Sequence, residues 1–209
     1  QGRTASDEEF SLQGITELAG VESWHTLNNL PKSLQKLTLV KRFLDPRLNR
    51  MKLPNGLQSL TLGRYFNQPL DGLRLPEGLQ SLTLGQCFNQ PLDGLRLPEG
   101  LQSLLPEGLQ SLTFGENFDR TLYGLGLPNG LQSLTFGSEF NQTLDGFKLP
   151  NDLKTLTFGD HFNQRLDGLS LPDGLESLNF GRYFRQKLDR IVLPARLRTL
   201  KLGDQSLIC

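Results

Sequence analysis

The chain has little of the chemistry on which most catalytic and metal sites depend. Its 209 residues include two cysteines, two histidines, one Met and one Trp. Cys87 and Cys209 are too few for a disulfide framework, and neither His25 nor His161 has a Cys or an acid at metal-ligand spacing. The sequence contains no phosphate-binding glycine loop and no nucleophile elbow. It therefore predicts a protein that is not an enzyme and that holds no metal or cofactor.

A net charge of one sign and long apolar runs are absent as well. Lys plus Arg number 22 and Asp plus Glu number 22, so net charge alone gives no attraction to nucleic acid or to an anionic membrane. No apolar run is long enough for a transmembrane span. The chain begins with Gln1 rather than Met, which is compatible with processing on import into an organelle. We therefore expect protein partners, no specific nucleic acid and no membrane span, and the compartment stays open.

What the sequence has in abundance is one repeated unit. The units begin with Leu-Pro, at Leu30, Leu53, Leu75, Leu105, Leu127, Leu149, Leu171 and Leu193. Their spacing is 22 residues, except for 23 after Leu30 and 30 after Leu75. A fixed period of this length is typical of a solenoid, because one short unit cannot bury its own apolar side chains and must stack on its neighbours.

Each unit contains one segment with the alternation of a half-buried strand. In the unit that starts at Leu53, Leu60 and Leu62 should point inward, and Ser59 and Thr61 outward. The rest of the unit lacks helical periodicity, so we expect an extended return leg with turns. The sequence predicts one parallel β-ladder whose strands are centred on Leu37, Leu60, Leu82, Leu112, Leu134, Leu156, Leu178 and Leu200.

Phenylalanine recurs in two columns of the repeat. One column consists of Phe43, Phe66, Phe88, Phe118, Phe140, Phe162 and Phe184. In four later units the second strand leucine is also replaced, by Phe114, Phe136, Phe158 and Phe180. Burial of one Phe stabilises a fold by about 1.5–3 kcal/mol. We therefore interpret both columns as structural ladders of the core rather than as a ligand-stacking surface.

Two motifs carry a family resemblance. The pattern Leu-x-x-Leu-x-Leu at Leu57, Leu60 and Leu62 resembles the strand segment of leucine-rich repeats. Phe-Asn-Gln-Pro, at 66–69 and 88–91, resembles the FNIP repeat family more closely, with Gln or Arg where that family has Ile. The resemblance covers roughly residues 30–209. It implies a leucine-rich-repeat-like solenoid that is used in protein–protein contact.

Residues 1–29 do not fit the unit. Ser6 and Glu9 have the spacing of a helix capping box, and Gly20 could end the helix. The apolar face of this helix would consist of Phe10, Leu12, Ile15 and Leu18. Because solenoid ends need caps, we expect a helical N-terminal cap. A docking segment is the alternative, since the stretch holds five acids and one Arg.

The repeat is truncated once, at residues 97–104. The sequence LPEGLQSL occurs there and again at 105–112. Pro106 follows the first copy almost directly, and proline cannot donate a hydrogen bond to a ladder. The second copy should therefore occupy the ladder, and 97–104 should leave the coil as a bulge. The inward side chains of the second copy would be Leu109, Leu112 and Phe114.

Side-chain variety is concentrated just after each strand. The outward strand positions are almost all Ser or Thr, whereas the two residues that follow the strand glycine vary along the array, with Arg-Tyr in the units that start at Leu53 and Leu171 and a different pair in each unit between them. Because specificity requires side chains that differ, we predict a partner-contact surface along this edge. It would consist of Arg64, Tyr65, Gln86, Cys87, Glu116, Asn117, Ser138, Glu139, Asp160, His161, Arg182 and Tyr183.

Positive charge is concentrated near both ends of the repeat array. The candidates for a basic docking surface are Lys36, Lys41, Arg42, Arg47, Arg50, Arg185, Lys187 and Arg190. Such clusters would attract an acidic partner. A solvated rim of mixed charges is the alternative interpretation.

Two polar columns also repeat. The acidic column consists of Asp71, Asp93, Asp145, Asp167 and Asp189. Stacked carboxylates could collect calcium, but an Asp that caps a turn is the simpler interpretation. The amide column consists of Asn67, Asn89, Asn141 and Asn163. We expect these asparagines to form hydrogen bonds with the backbone of adjacent coils. Asn141-Gln142-Thr143 also matches a glycosylation sequon, and we interpret that match as a chance result of Thr following the Phe-Asn-Gln motif.

Together these observations predict a non-catalytic protein-interaction or assembly-scaffold module. We expect an accessory subunit of a larger organellar or membrane-associated complex. The alternative is a surface-binding protein that presents the Ser/Thr array of the strand face to ice or polysaccharide. A flat array would support that alternative, and a curved strand face would oppose it.

Overall fold

The computed structural model describes residues 14–21, 30–39, 51–70, 73–92, 105–203 and 205–208. Within these ranges ten strands form one sheet in chain order. They are β1 (Glu17–Val21), β2 (Lys36–Leu39), β3 (Ser59–Thr61), β4 (Ser81–Thr83), β5 (Ser111–Thr113), β6 (Ser133–Thr135), β7 (Thr155–Thr157), β8 (Ser177–Phe180), β9 (Thr199–Leu202) and β10 (Gln205–Ile208). Strands β1 to β9 are parallel, and β10 is antiparallel to β9. Within the described ranges no residue is helical, so no membrane-spanning helix occurs there.

The predicted ladder is confirmed in its register. Leu60 pairs with Leu37 on one side and with Leu82 on the other. The same one-to-one pairing continues through Leu112, Leu134, Leu156, Leu178 and Leu200. The return legs are extended segments joined by turns, as expected. The chain is therefore a leucine-rich-repeat-type solenoid with a parallel sheet on one side.

Both phenylalanine columns lie in the core, as predicted. Phe66, Phe88, Phe118, Phe140 and Phe162 are completely buried. Successive rings of this column are nearly parallel and lie 6.0–6.2 Å apart between centroids. The strand phenylalanines stack on one another at 5.1–5.4 Å, and the two columns touch in each of the four coils that contain both, at 4.0–4.4 Å. Phe43, the first predicted member, lies outside the described residues.

A column of glycines brings the backbones of neighbouring coils into direct contact. A Cβ added at Gly115 would lie 1.8 Å from the carbonyl oxygen of Gly85, and one at Gly159 would lie 1.9 Å from that of Gly137. These glycines do not adopt positive φ angles. The sequence indicated a glycine that permits a turn, and the turn is present, since Phe66 N donates to Gly63 O at 2.9 Å. The repeat requires glycine here because any side chain would strike the coil below.

The N-terminal segment contradicts the predicted helix. Residues 17–21 form β1, which extends the sheet beyond β2 and pairs Leu18 with Leu37. Gly20 has a φ of 75° at an irregularity of the strand rather than at a helix end. Ile15 and Leu18 fit a helical spacing, but the open edge of β2 offers backbone hydrogen bonds that a strand can satisfy. The capping box at Ser6 lies outside the described residues, and the assignment of 1–29 as a cap or docking segment stays a prediction.

The second copy of LPEGLQSL occupies the ladder, as predicted. The second copy supplies β5, and Leu109, Leu112 and Phe114 are buried. Leu112 sits between Leu82 and Leu134 in the ladder. The first copy, 97–104, lies outside the described residues, so its expulsion as a bulge stays a prediction.

The last strand departs from the repeat. After β9 the chain reverses at Gly203, whose φ is 61°, and β10 returns along β9 in antiparallel pairing. The unit that starts at Leu193 has no Phe-Asn-Gln motif after its strand, and it therefore lacks the side chains that would continue the coil. The sequence predicts a parallel ladder that ends with the strand at Leu200, and it does not predict β10.

We predict that Gly159→Ala destabilises the fold by about 3 kcal/mol or more, because neither backbone in this contact can retreat from the added methyl group. Gly174→Ala is the matched control, since its Cβ would meet its nearest neighbour at an ordinary 3.5 Å. The control should stay within about 1 kcal/mol of the parent. Chemical denaturation would measure both, and equal stability of the two variants would contradict the close contact.

We predict that Phe140→Ala lowers the free energy of unfolding by about 3–5 kcal/mol. The substitution removes a fully buried ring that contacts Phe118, Phe136 and Phe162. Thermal and denaturant unfolding would measure the loss. An unchanged midpoint would mean that the ring is not part of the core.

Candidate functional site

The two residues after each strand glycine form a continuous line on the solenoid. In each coil from Cys87 to Tyr183, the N–H of the second residue donates to the carbonyl oxygen of the first residue in the coil before it. The distances are 2.8 Å for Cys87 to Arg64 and 2.9 Å for Tyr183 to Asp160. The intervening coils repeat the bond, at Asn117, Glu139 and His161. We call the line of twelve predicted contact residues, from Arg64-Tyr65 to Arg182-Tyr183, the variable ridge.

The variable ridge is exposed and chemically uneven. Tyr65 and Tyr183, near its two ends, have 47% and 48% of their surface exposed. The guanidinium carbon of Arg64 lies 5.5 Å from the centroid of the Tyr65 ring, within the range of a cation–π contact. Between the two ends, three adjacent coils carry Glu116, Glu139 and Asp160, all exposed. The ridge therefore has Arg-Tyr pairs at its ends and an acidic middle.

Side chains of the ridge also contact one another between coils. Gln86 Nε2 donates to a carboxylate oxygen of Glu116. His161 Nδ1 lies 2.9 Å from Glu139 Oε2, and the rings of His161 and Tyr183 are 5.1 Å apart between centroids. The structure thus brings the twelve predicted residues into one row. Their role as a partner-contact surface stays a prediction.

The predicted basic residues separate into two groups. Lys36 lies on β2, where its ammonium is 3.7 Å from Glu17 Oε2. Arg185, Lys187 and Arg190 lie together on the return leg of the unit that starts at Leu171. Lys41, Arg42, Arg47 and Arg50 lie outside the described residues. The structure therefore describes a basic cluster only near the later coils.

The asparagine column forms a hydrogen-bonded ladder, as predicted. Asn67 Oδ1 accepts from Asn89 N at 2.8 Å, and Asn141 Oδ1 accepts from Asn163 N at 2.9 Å. Asp119 takes the place of Asn in one coil and accepts from Asn141 N at 3.0 Å. Each side chain thus satisfies a backbone N–H of the next coil, where a turn leaves that group without a partner.

The glutamine of the motif has a matching role that the sequence did not reveal. Gln164 Nε2 donates to both the backbone oxygen and Oδ1 of Asn141, at 2.9 and 3.1 Å. Gln186 makes the same pair of bonds to Asn163. Because the Gln of one coil clamps the Asn of the coil before it, Phe-Asn-Gln works as a unit only when coils are stacked.

The described members of the acidic column, Asp145, Asp167 and Asp189, lie at turns. Asp145 and Asp167 each precede a glycine of positive φ, Gly146 at 71° and Gly168 at 84°. Asp71 and Asp93 lie outside the described residues. Each turn is closed by a 3.0 Å backbone bond, for example from Leu169 N to Leu166 O. In the part of the chain that the structure describes, no group of three His, Cys, Asp or Glu side chains is placed to hold a metal.

The strand face carries the Ser/Thr array in register. Ser59 pairs with Ser81 and Thr61 with Thr83, and the same pairing recurs in the following coils. These residues are half-buried. At β8 the pattern changes, because Asn179 Nδ2 donates to the hydroxyl groups of Thr157 and Ser177. The array is therefore regular in the middle of the sheet only.

The stacked strands, the turn glycines and the Phe-Asn-Gln ladders together define a leucine-rich-repeat-type solenoid. The FNIP Repeat family matches the chain at residues 43–87, 101–138, 123–161 and 162–205, which is most of its length. The chain belongs to the FNIP repeat family.

One solved structure gives a further likeness. It is described as "The crystal structure of CroV588 a novel circular LRR protein structure". The two chains are 38% identical, and they superpose with a TM-score of 0.61 over 83% of this chain and 28% of that one. This chain thus spans less than a third of its structural relative. No curated protein sequence matches it significantly.

Proposed function

We propose that this chain is a non-catalytic protein-interaction or assembly-scaffold module that contacts its partner through the variable ridge. The observation that carries the proposal is the contrast within each coil. The backbone of the ridge is fixed by the same hydrogen bond in each coil from Cys87 to Tyr183, at 2.8–2.9 Å. The side-chain pairs on that backbone differ between neighbouring coils, and only the two end coils of the ridge share a pair, Arg-Tyr. A rigid frame with varied side chains is what selective recognition requires.

The composition of the ridge supports contact with protein. Tyr and Arg are enriched where protein interfaces derive most of their binding energy, and the ridge has both at each end. The half-exposed Tyr65 and Tyr183 rings offer apolar area with few rotamers to lose. Glu116, Glu139 and Asp160 favour a partner that presents positive charge to the middle of the ridge.

We further propose that the chain works as an accessory subunit of a larger assembly, organellar or membrane-associated. Support comes from the variable ridge, which offers one long contact surface across successive coils. The alternative, binding of ice or polysaccharide by the strand face, is less well supported. Its hydroxyl groups are half-buried, and the likeness to a circular repeat protein favours a curved sheet.

The test is capture of the partner with a ridge variant and a matched control. Tagged Tyr65→Ala/Tyr183→Ala removes both ridge tyrosines, whereas Tyr123→Ala removes a tyrosine that is 88% exposed and lies outside the ridge. Both are surface changes, and each should leave the free energy of unfolding within about 0.5 kcal/mol of the parent for each ring removed.

We predict that the ridge variant recovers at least about tenfold less of the specific partner, since two interface tyrosines are each worth about 1 kcal/mol or more. The Tyr123 control should recover the partner as the parent does. Quantitative mass spectrometry of the captured complexes would measure the difference. Equal recovery by the ridge variant and the parent would contradict the proposal.

A further inference from the structure

A groove between two late coils collects four cations. It encloses about 410 Å³ between the return legs of the units that start at Leu149 and Leu171. The cations that line it are Arg165, Arg185, Lys187 and Arg190. The acids that line it are Asp167 and Asp189. The lining therefore has a net charge of +2, in a chain whose total net charge is zero.

Comparison between the repeats shows that the fold does not need these cations. Where the last full coil has Arg185, earlier coils have Asn67, Asn89, Asn141 and Asn163. Where the two coils have Arg165 and Lys187, earlier coils have Pro69, Pro91, Thr121 and Thr143. Where Arg190 lies, earlier coils have a turn glycine such as Gly146. All four of these positions carry Arg or Lys in place of the residue of the earlier coils, and all four side chains line the same groove.

Two of these replacements, Arg185 and Arg190, remove a residue that has a structural role in the other coils. The backbone N–H of Arg185 still donates to Asn163 Oδ1 at 2.9 Å. An arginine side chain has no acceptor, however, so it cannot accept a hydrogen bond from the backbone N–H of a following coil as the asparagines do. Arg190 occupies a turn position that Gly168 fills with a φ of 84°, and no described residue other than glycine has a positive φ. The turn hydrogen bond from Ile191 N to Leu188 O lengthens to 3.2 Å.

The donors of the groove are positioned but mostly unused. Arg165 Nε and Arg190 share one oxygen, Asp167 Oδ2, at 3.8 and 3.6 Å. Each guanidinium has five N–H donors, so a single shared oxygen leaves most of them available. Arg185 is held by bonds of 2.8 Å from one guanidinium nitrogen to the carbonyl oxygens of Arg182 and Phe184. Lys187 has no ion-pair or hydrogen-bond partner among the described residues.

We propose that this groove binds an acidic, extended segment of a partner protein. The inference rests on the proposed interaction function, and it adds a second contact surface away from the variable ridge. Carboxylates match the planar fork of arginine and can be bound by two parallel bonds. An extended chain advances about 3.3 Å per residue, so a few residues suffice to meet all four cations. Single-stranded nucleic acid is less suited, because its bases need aromatic platforms and the groove lining contains none.

The test uses a fluorescein-labelled hexaglutamate peptide and the intact chain, with anisotropy read at low ionic strength. Lys187→Gln/Arg190→Gln should weaken binding about fivefold, as expected for two exposed charge pairs. Lys148→Gln/Lys154→Gln removes the same net charge outside the groove and should change affinity less than about twofold. Asp167→Asn keeps a turn-compatible residue and frees two guanidinium groups, so it should tighten binding about threefold.

Several results would overturn the proposal. These are no binding of hexaglutamate, equal weakening by the two double variants, or no gain from Asp167→Asn. Tighter binding of a six-nucleotide single strand than of hexaglutamate would assign the groove to phosphate instead. Tyr65→Ala/Tyr183→Ala should bind hexaglutamate as the parent does. If this variant captures the partner as well as the parent does and hexaglutamate binding is intact, the ridge alone is refuted. If the variant loses partner capture but the parent does not bind hexaglutamate, the groove alone is refuted.

Discussion

The closest approach between coils is the constraint on which the rest of the structure depends. At the strand glycines one backbone lies directly on the next, so that an added Cβ would be 1.8–2.3 Å from a neighbouring carbonyl oxygen from Gly85 to Gly181. This contact fixes the relative position of successive coils just where each strand ends. With that point fixed, a strand before the glycine and a Phe-Asn-Gln motif after it must meet their own copies in the next coil. The leucine pairs, the ring stacks and the amide ladder follow from the same register.

That register divides each coil into fixed and free positions. Leucine, phenylalanine, glycine and asparagine are fixed because each contacts its own copy above and below. The two residues after the glycine contribute their backbone to the ladder in every coil from Cys87 on. Their side chains contact one another in some coils but are not restricted to one residue type. The return leg has similar freedom at a few positions, where the later coils carry arginine and lysine. Proposed functions therefore fall on the positions that the stacking leaves unspecified.

Much of the fold could be predicted from the sequence, because the same pattern of residues recurs at the same position in each unit and each copy supports the assignment made for the others. The strand centres, the buried phenylalanines and the asparagine ladder required only the period and the alternation of apolar residues. The two ends could not be predicted in this way. The helix expected to include Ile15 and Leu18 is wrong, because spacing alone does not show that β2 has an open edge for a strand to join. Strand β10 and the clamp made by Gln164 were missed for a related reason, since both depend on contacts between coils. The basic groove needed the structure as well, because Arg165 and Arg190 are far apart in the chain and meet at one carboxylate oxygen.

The central claim is that the variable ridge has a rigid backbone whose side chains the stacking of the coils does not specify. Amide hydrogen exchange followed by NMR on the intact chain tests it most directly, because exchange protection reports local opening residue by residue. The account predicts that the N–H groups of Asn117, Glu139, His161 and Tyr183 exchange as slowly as those of the neighbouring strands. Exchange of these amides at the rate of open loops, with the strand amides still protected, would contradict it.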